Sequence, residues 1–310
     1  MFLNFGRNAN TWHSFLGLIY FVGLLCYGKA LEDSSKAPTG VKNQRPAKKA
    51  CNDIEKNLTP SLTSHIVEET VVQRGEYPFL AALGYPNLDD DSYKFRCGGS
   101  LIHERFVLTA ANCVRSIQPT FVRLGMSNLD DLDGQEQRMD VPIKQIHIHP
   151  EYSQLAKVND IALIEFENPV KKTKFIAPMC LYTENIDPPQ GSMLFIAGLG
   201  ITNTKITQSN GLLKTRMEIV PNSSCSPLYE SQEYKIQPEQ LCASDPEKTA
   251  DACFGSSGGA LFLQVNETAN DFHQVGIISA GYGCAGHIPG LYTRVSAYLD
   301  YIEQIIWPAN

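Results

Sequence analysis

Short hydrophobic runs alternate with turn-forming residues through most of the chain after position 66. Runs of this length, separated by Gly, Pro, Asn and Asp, are typical of β-strands in a barrel or a sandwich. The pattern therefore predicts an all-β domain. The predicted strands are residues 79–83, 100–102, 106–109, 121–124, 161–166, 193–197, 261–265 and 274–279.

The end of the chain has a different periodicity. Residues 296–307 place apolar side chains at the spacing of one helical face, namely Tyr298, Leu299, Ile302, Ile305 and Ile306. We predict a terminal helix that packs this face against the β domain.

The first 30 residues resemble a processing signal. Arg7 precedes a continuous apolar run of about 13 residues at 15–27, and the small residues Gly28 and Ala30 follow it. A membrane-spanning helix would need about 20 apolar residues. The pattern therefore predicts a signal peptide over residues 1–30, a secreted, extracellular protein and no membrane span.

Residues 31–65 are polar and interrupted by proline, and they show no periodicity. We predict that they form a flexible segment before a domain at residues 66–310. Cys51 is the one cysteine in this segment, which indicates that the segment is tied to something downstream.

Charge and cysteine content narrow the class of protein. Without residues 1–30 the chain has 24 basic and 33 acidic residues, a formal net charge of −9, which argues against nucleic acid as a partner. Eight cysteines remain in an oxidising compartment, so four disulfides are expected, although spacing alone allows 105 pairings. N-glycosylation sequons, which agree with secretion, begin at Asn57, Asn222 and Asn266.

Four segments carry a family resemblance. They are CGGSLIHERFVLTAANC at 97–113, NDIALIEF at 159–166, DACFGSSGGA at 251–260 and SAGYGCAGHIPGLYT at 279–293. In order and spacing they resemble the chymotrypsin-like serine proteases over residues 66–307. The resemblance implies two packed six-stranded antiparallel β-barrels with a cleft between them. It also implies the disulfides Cys97–Cys113, Cys225–Cys242, Cys253–Cys284 and Cys51–Cys180.

The resemblance assigns the catalytic positions. Asp160 occupies the orienting position, Ser257 the nucleophile position, and Gly255 with Ser257 the oxyanion hole. The position of the general base holds Asn112, whose amide does not titrate near neutral pH. In subtilisin, loss of the triad histidine lowers kcat by about 10⁶-fold. We therefore predict a pseudoprotease, not an active enzyme.

Replacement by another histidine is not expected. His65 lies at the domain start, and His103, His147 and His149 lie in segments that the family places away from the cleft. His273 and His287 are expected in loops.

The activation signal also departs from the family. Ile66-Val67-Glu68-Glu69 stands where members have Ile-Val-Gly-Gly, and His65 precedes it in place of Arg or Lys. Ser256 replaces the aspartate that pairs with the new amino terminus. We expect the chain to stay uncut at this point.

The cleft carries further changes. Ala280 replaces a tryptophan, and Ala260 replaces a proline. Asp251, Gly281 and Gly290 retain the pattern of a specificity pocket for Arg or Lys side chains. They are either ancestral remnants, the interpretation we favour, or a pocket that captures a basic side chain without cutting.

The loop at residues 126–136 resembles the calcium loop of some relatives. Asp133 and Glu136 match ligand positions, but Met126 replaces a carboxylate, and calcium prefers six to eight oxygen ligands. We expect a solvated acidic loop, and we predict no metal site and no cofactor.

The functional prediction is a secreted, non-catalytic homologue that binds as a cofactor, decoy or scaffold. Residues 98–109 are typical of arthropod cascade proteases, which suggests an immune cascade and partners among its proteases or zymogens. Two alternatives stay open. One is a weak trypsin-like endopeptidase that uses Asp160 and Ser257 and cuts after Arg or Lys. The other is an adhesive extracellular protein that binds through loops such as residues 87–93.

Overall fold

The computed structural model describes residues 44–58, 71–90, 92–126, 128, 138–202, 207–246, 252–253, 257–266, 269–280 and 288–308. The predicted signal peptide lies outside the described residues. The strands are β1 Leu80–Pro86, β2 Tyr93–His103, β3 Phe106–Thr109, β4 Phe121–Leu124, β5 Met139–Ile148, β6 Ala162–Phe166, β7 Cys180–Leu181, β8 Leu194–Thr202, β9 Thr207–Val220, β10 Gln240–Ser244, β11 Ala252–Cys253, β12 Ala260–Asn266, β13 Asp271–Ala280 and β14 Gly290–Arg294. The helices are α1 Pro46–Glu55, α2 Ala111–Arg115, α3 Asn222–Glu230, a 3₁₀ turn at Val295–Tyr298 and α4 Leu299–Ile306.

Two antiparallel barrels make up the β structure. The first closes in the order β1-β2-β3-β6-β5-β4, with β1 paired to both β2 and β4. The second runs β8-β12-β13-β14-β10-β9 and closes through the pairing of β8 with β9. β11 pairs with β8, and β7 lies parallel to β13. The predicted pair of six-stranded barrels is therefore confirmed.

An aromatic cluster joins the two barrels. Tyr77 and Phe79, which enter β1, pack edge-on against Phe262 of β12 and Phe272 of β13, with ring centroids 4.9 to 5.5 Å apart. Such pairs contribute about 0.5–1.5 kcal/mol each beyond the area they bury. The cluster fixes one barrel against the other.

The predicted terminal helix is confirmed, with a 3₁₀ turn at its start. Leu299, Ile302 and Ile306 of α4 are buried, as expected for one apolar face. Tyr301 reaches the first barrel, where its hydroxyl donates to the carbonyl oxygen of His147 at 2.8 Å. The last helix of the chain therefore braces the first barrel.

The prediction of a flexible segment over residues 31–65 is wrong for α1. This helix has only a short apolar face, formed by Ala47, Cys51 and Ile54, and tertiary contacts hold it in place. Cys51 forms a disulfide with Cys180. At the start of the helix, Arg45 Nε donates to Glu303 Oε1 at 2.8 Å, and the Ala47 amide donates to the same oxygen at 3.0 Å.

Three of the expected disulfides are present. They join Cys51 to Cys180, Cys97 to Cys113 and Cys225 to Cys242. The fourth expected pair, Cys253 with Cys284, lies outside the part of the chain whose side chains are described.

Among the described helices, none has the length and apolar character needed to cross a membrane.

Candidate active site

Asn112 lies in α2, directly after β3. Its backbone amide donates to Asp160 Oδ1 at 2.8 Å, and its side-chain Nδ2 donates to Asp160 Oδ2 at 2.6 Å. Nδ2 also donates to the carbonyl oxygen of Ser279 at 3.2 Å. Both hydrogens of the side-chain amide are therefore engaged, which fixes the orientation of the side chain.

Asp160 lies just before β6 and is 3% exposed. Besides the two hydrogen bonds from Asn112, Oδ2 accepts one from the Ser279 hydroxyl at 2.6 Å, and Thr293 Oγ1 donates to the Asp160 carbonyl oxygen at 2.9 Å. Burial raises the pKa of Asp160 above its usual value, and the hydrogen bonds from Ser279 and Asn112 offset only part of this effect. These donors to the carboxylate are all neutral groups.

Ser257 is held beside the turn that carries Asn112. Its carbonyl oxygen accepts from the Gly98 amide at 2.9 Å, and the Cys113 sulfur lies 3.2 Å from the same oxygen. That sulfur is in a disulfide and carries no proton, so the second contact is packing and not a hydrogen bond. Within the described residues the Ser257 hydroxyl makes no hydrogen bond.

Gly258 allows this close approach. Its φ is +84°, and an added Cβ would collide with Thr109 Oγ1 and lie 2.5 Å from the Gly98 carbonyl oxygen. The Gly258 amide donates to the Ile278 carbonyl oxygen at 2.8 Å. A glycine is therefore required here both by backbone conformation and by space.

The structure joins Asn112 to Asp160, holds the Ser257 carbonyl oxygen against Gly98 and Cys113, and leaves several predicted site residues undescribed. Gly290 begins β14, where an added Cβ would lie 3.1 Å from the Tyr292 ring. Ala260 and Ala280 lie in β12 and β13, respectively. The residues outside the described part are Asp251, Gly255, Ser256, Gly281, His65, Ile66, Asp133 and Glu136.

The structure describes four histidines, and two of them pack against aromatic rings. His103 packs edge-on against Trp307, and His149 packs against Tyr298 and Tyr301. Burial lowers the pKa of both rings. None of the described histidines donates to or accepts from Asp160 or Ser257.

The other two described histidines contact carboxylates. His147 Nε2 lies 3.2 Å from Glu165 Oε2. His273 was expected in a loop, but it lies in β13, because that strand begins at Asp271 and runs longer than its apolar core indicates. Burial lowers the pKa of His273. His65 and His287 lie outside the described residues.

The sequence did not reveal the hydroxyl donors to Asp160. The sequence assigns no role to Ser279 or to Thr293. Both meet Asp160 from distant parts of the chain, so no local pattern reports the contact. A polar residue inside an otherwise apolar strand is the one signal that points to such a role.

A buried ion pair was also missed. Lys214 Nζ of β9 lies 2.6 Å from Glu76 Oε1, and the two side chains are 5% and 1% exposed. Glu76 Oε2 also accepts from the Gln73 amide at 2.9 Å. The pair joins the segment that enters β1 to the second barrel, close to where Val72 donates to the Leu212 carbonyl oxygen at 2.8 Å.

The predicted glycosylation sites differ in accessibility. Asn57 and Asn266 are exposed, at the end of α1 and at the end of β12. Asn222 is partly buried, and its Nδ2 donates to the Gln240 carbonyl oxygen at 3.2 Å. An oligosaccharide is therefore expected more readily at the two exposed positions.

Comparison with known protein families and sequences identifies the family of this chain. Residues 66–302 match the family model described as Trypsin. The chain belongs to the trypsin family. It is 42% identical over 277 residues to the serine protease Hayan of Drosophila melanogaster, an alignment that covers 86% of this chain and 43% of Hayan.

Two further relatives of this trypsin-family chain come from insects. Phenoloxidase-activating factor 3 of Holotrichia diomphalia is 38% identical over 245 residues, covering 74% of this chain and 69% of that protein. Melanization protease 1 of Drosophila melanogaster is 34% identical over 272 residues, covering 80% of this chain and 67% of that protein. The chain thus spans less than half of Hayan and about two thirds of the other two.

Proposed function

We propose that this trypsin-family chain is a pseudoprotease that acts by binding and not by cutting. The observation that carries the proposal is the Asn112 side chain, whose two amide hydrogens are held by Asp160 and by the Ser279 carbonyl oxygen. A serine nucleophile needs a base that takes its proton and returns it to the leaving group. An amide does neither near neutral pH, so Ser257 stays an ordinary alcohol.

The environment of Asp160 supports this proposal. In a working triad the aspartate orients the histidine and stabilises its charged form. Here the Asp160 carboxylate accepts hydrogen bonds from the two amide groups of Asn112 and from the Ser279 hydroxyl, all of them neutral, and burial raises its pKa. Neutral donors therefore satisfy the hydrogen-bonding capacity of the Asp160 carboxylate without a titrating partner. This is what we expect of a site that is retained for structure and not for catalysis.

The sequence supports the same proposal at the activation switch. His65 precedes Ile66 where the family has a basic cleavage residue, and Ser256 replaces the aspartate that receives the freed amino terminus. A buried ammonium group without a carboxylate would be costly. Asp160, Ser257, Gly255 and the pocket residues Asp251, Gly281 and Gly290 are therefore proposed as remnants of a catalytic site.

We place the binding activity in an extracellular proteolytic cascade of arthropod immunity. The predicted signal peptide, the disulfides and the names of relatives such as phenoloxidase-activating factor 3 and melanization protease 1 support this placement. The proposed partners are proteases or zymogens of that cascade. The proposed role is that of a cofactor, decoy or scaffold.

A fluorophosphonate probe tests the loss of the activated nucleophile. Such probes phosphonylate a serine that an adjacent base activates. The purified mature chain should show no more labelling than its Ser257→Ala variant, with trypsin as the positive control. Labelling that Ser257→Ala removes would contradict the proposal.

A second experiment separates binding from catalysis. If the chain regulates by binding, adding wild type or Ser257→Ala to arthropod haemolymph should change the rate of melanization equally. An effect that depends on Ser257 would instead assign the regulation to catalysis.

A further inference from the structure

A cluster of metal-ligating side chains lies far from the candidate active site, where the end of α1 meets the start of β13. Glu55 is the last residue of α1, and Asp271 and His273 belong to β13. His273 Nε2 lies 3.1 Å from Asp271 Oδ1 and 3.7 Å from Glu55 Oε1. We propose that Glu55, Asp271 and His273 form a zinc site that joins α1 to the second barrel.

The distances between the ligand atoms fit a zinc ion. Zinc binds imidazole nitrogen and carboxylate oxygen at about 2.0–2.2 Å in tetrahedral geometry, which places neighbouring ligand atoms about 3.4 Å apart. The two separations from His273 Nε2, 3.1 and 3.7 Å, lie on either side of this value. His273 can therefore share an ion with either carboxylate after a small side-chain shift, and the proposal places both carboxylates on the same ion.

Hydrogen bonding alone leaves the cluster incompletely satisfied. One proton on His273 Nε2 serves Asp271 at 3.1 Å, but Glu55 Oε1 at 3.7 Å is beyond hydrogen-bond distance. Glu55 Oε1 also lies 3.2 Å from the Cys51 sulfur, which carries no proton because it is in the disulfide with Cys180. A cation between the ring and the two carboxylates contacts all three groups at once.

The ligand types select zinc over the hard cations. Calcium and magnesium take oxygen ligands, whereas an imidazole nitrogen suits zinc and similar transition metals. The side chains of Asp271 and His273 are 13% and 12% exposed, and that of Glu55 is 36% exposed. The site is thus mostly enclosed and open to solvent on the side of Glu55, which leaves a fourth position for water.

The site would act as a third clamp on α1. Arg45 and Glu303 hold the start of the helix, and the Cys51–Cys180 disulfide holds its middle. Zinc would hold its last residue. The Cys51 and Cys180 sulfurs lie within 4.8 Å of the Glu55 and His273 ligand atoms, but they stay bonded to each other and do not serve as ligands in this proposal.

Calorimetric titration of the untagged, oxidised mature chain with zinc chloride tests the proposal. We expect one zinc ion per chain with a micromolar or tighter Kd, at least tenfold weaker binding in His273→Gln and in Glu55→Gln, and no comparable response to calcium. The matched control is His147→Gln, because His147 also faces a carboxylate, Glu165, at 3.2 Å but has no second acidic partner in contact with the ring among the described residues.

Unchanged zinc binding in His273→Gln and Glu55→Gln would overturn the assignment, as would no binding by wild type at 100-fold molar excess of zinc. A loss of binding in His147→Gln equal to that in His273→Gln would also overturn it. Glu55→Gln keeps the test decisive if His273→Gln fails to fold, because Glu55 is partly exposed at a helix end.

Discussion

At the scale of single residues, Asp160 and Gly258 hold the candidate site in shape. Asp160 remains fully hydrogen-bonded although Asn112 stands where the family has a histidine. Its partners come from α2 and from β13, so it also ties the two barrels together. The geometry of the site is therefore maintained by folding energetics and does not require catalysis to explain it.

Replacement of Asp160 by asparagine tests this structural role. In Asp160→Asn an amide nitrogen replaces one carboxylate oxygen and turns its hydrogens toward the donors that this oxygen accepts from, so we expect a loss of about 1–3 kcal/mol in the free energy of unfolding. Urea denaturation measures it. The control is Asp53→Asn, which breaks an exposed pair with Lys56 at 3.1 Å and should cost less than about 1 kcal/mol. Equal losses would contradict the role of Asp160.

Gly258→Ala tests the close approach beside Ser257. The added methyl group meets Thr109 and Gly98, and φ of +84° is unfavourable for alanine. We expect a loss of about 2–4 kcal/mol from strain and overpacking together. Gly191 has the same φ with nothing within 4 Å of an added Cβ, so Gly191→Ala should lose only about 1–2 kcal/mol. Equal thermal shifts in the two variants would contradict the steric argument.

At the scale of elements, the sequence predicted the terminal helix and eight of the fourteen described strands, and it missed β5, β7, β9, β10, β11 and β14. All eight predicted strands fall within or overlap observed ones, because apolar runs between turns report burial directly. The observed strands extend further, as in β13, since strand ends pair without being apolar. The positions of Asn112, Asp160 and Ser257 followed from the family resemblance and not from periodicity.

What the sequence could not show depends on contacts between distant parts of the chain. α1 has only a short apolar face; the family resemblance implied its disulfide with Cys180, but nothing in the sequence indicated its contact with Glu303. The Lys214–Glu76 ion pair and the hydroxyl groups that donate to Asp160 also join residues that are far apart in the sequence. Local residue patterns contain no information about a partner more than a hundred positions away.

Glu303→Ala tests how α1 is held. This change removes the acceptor for Arg45 Nε and for the Ala47 amide, while the Arg45–Asp300 contact and the Cys51–Cys180 disulfide remain. We expect faster hydrogen exchange across residues 46–52, measured by mass spectrometry. Lys56→Ala breaks an exposed pair with Asp53 and should leave exchange in these residues unchanged. Unaltered exchange in Glu303→Ala would contradict the clamp.

At the scale of the whole molecule, buried histidines make stability depend on pH. Burial lowers the pKa of His103 and His149, so the unfolded chain binds protons more readily than the folded one. Stability is therefore present above the unfolded value of about 6.5 and falls as the pH drops below it. The urea midpoint should decrease from pH 7.5 to 5. The decrease should be smaller in His103→Gln/His149→Gln, and an identical decrease would contradict this account.

The barrels, the disulfides and the family assignment describe a protease scaffold, and the central claim is that this scaffold no longer catalyses. Hydrolysis of an arginine ester by the purified mature chain tests that claim most directly, with Ser257→Ala as the control. We predict that the two proteins hydrolyse the ester at the same rate. Turnover by the wild type that Ser257→Ala abolishes would contradict the account, and it would mean that another group performs the proton transfer that Asn112 cannot.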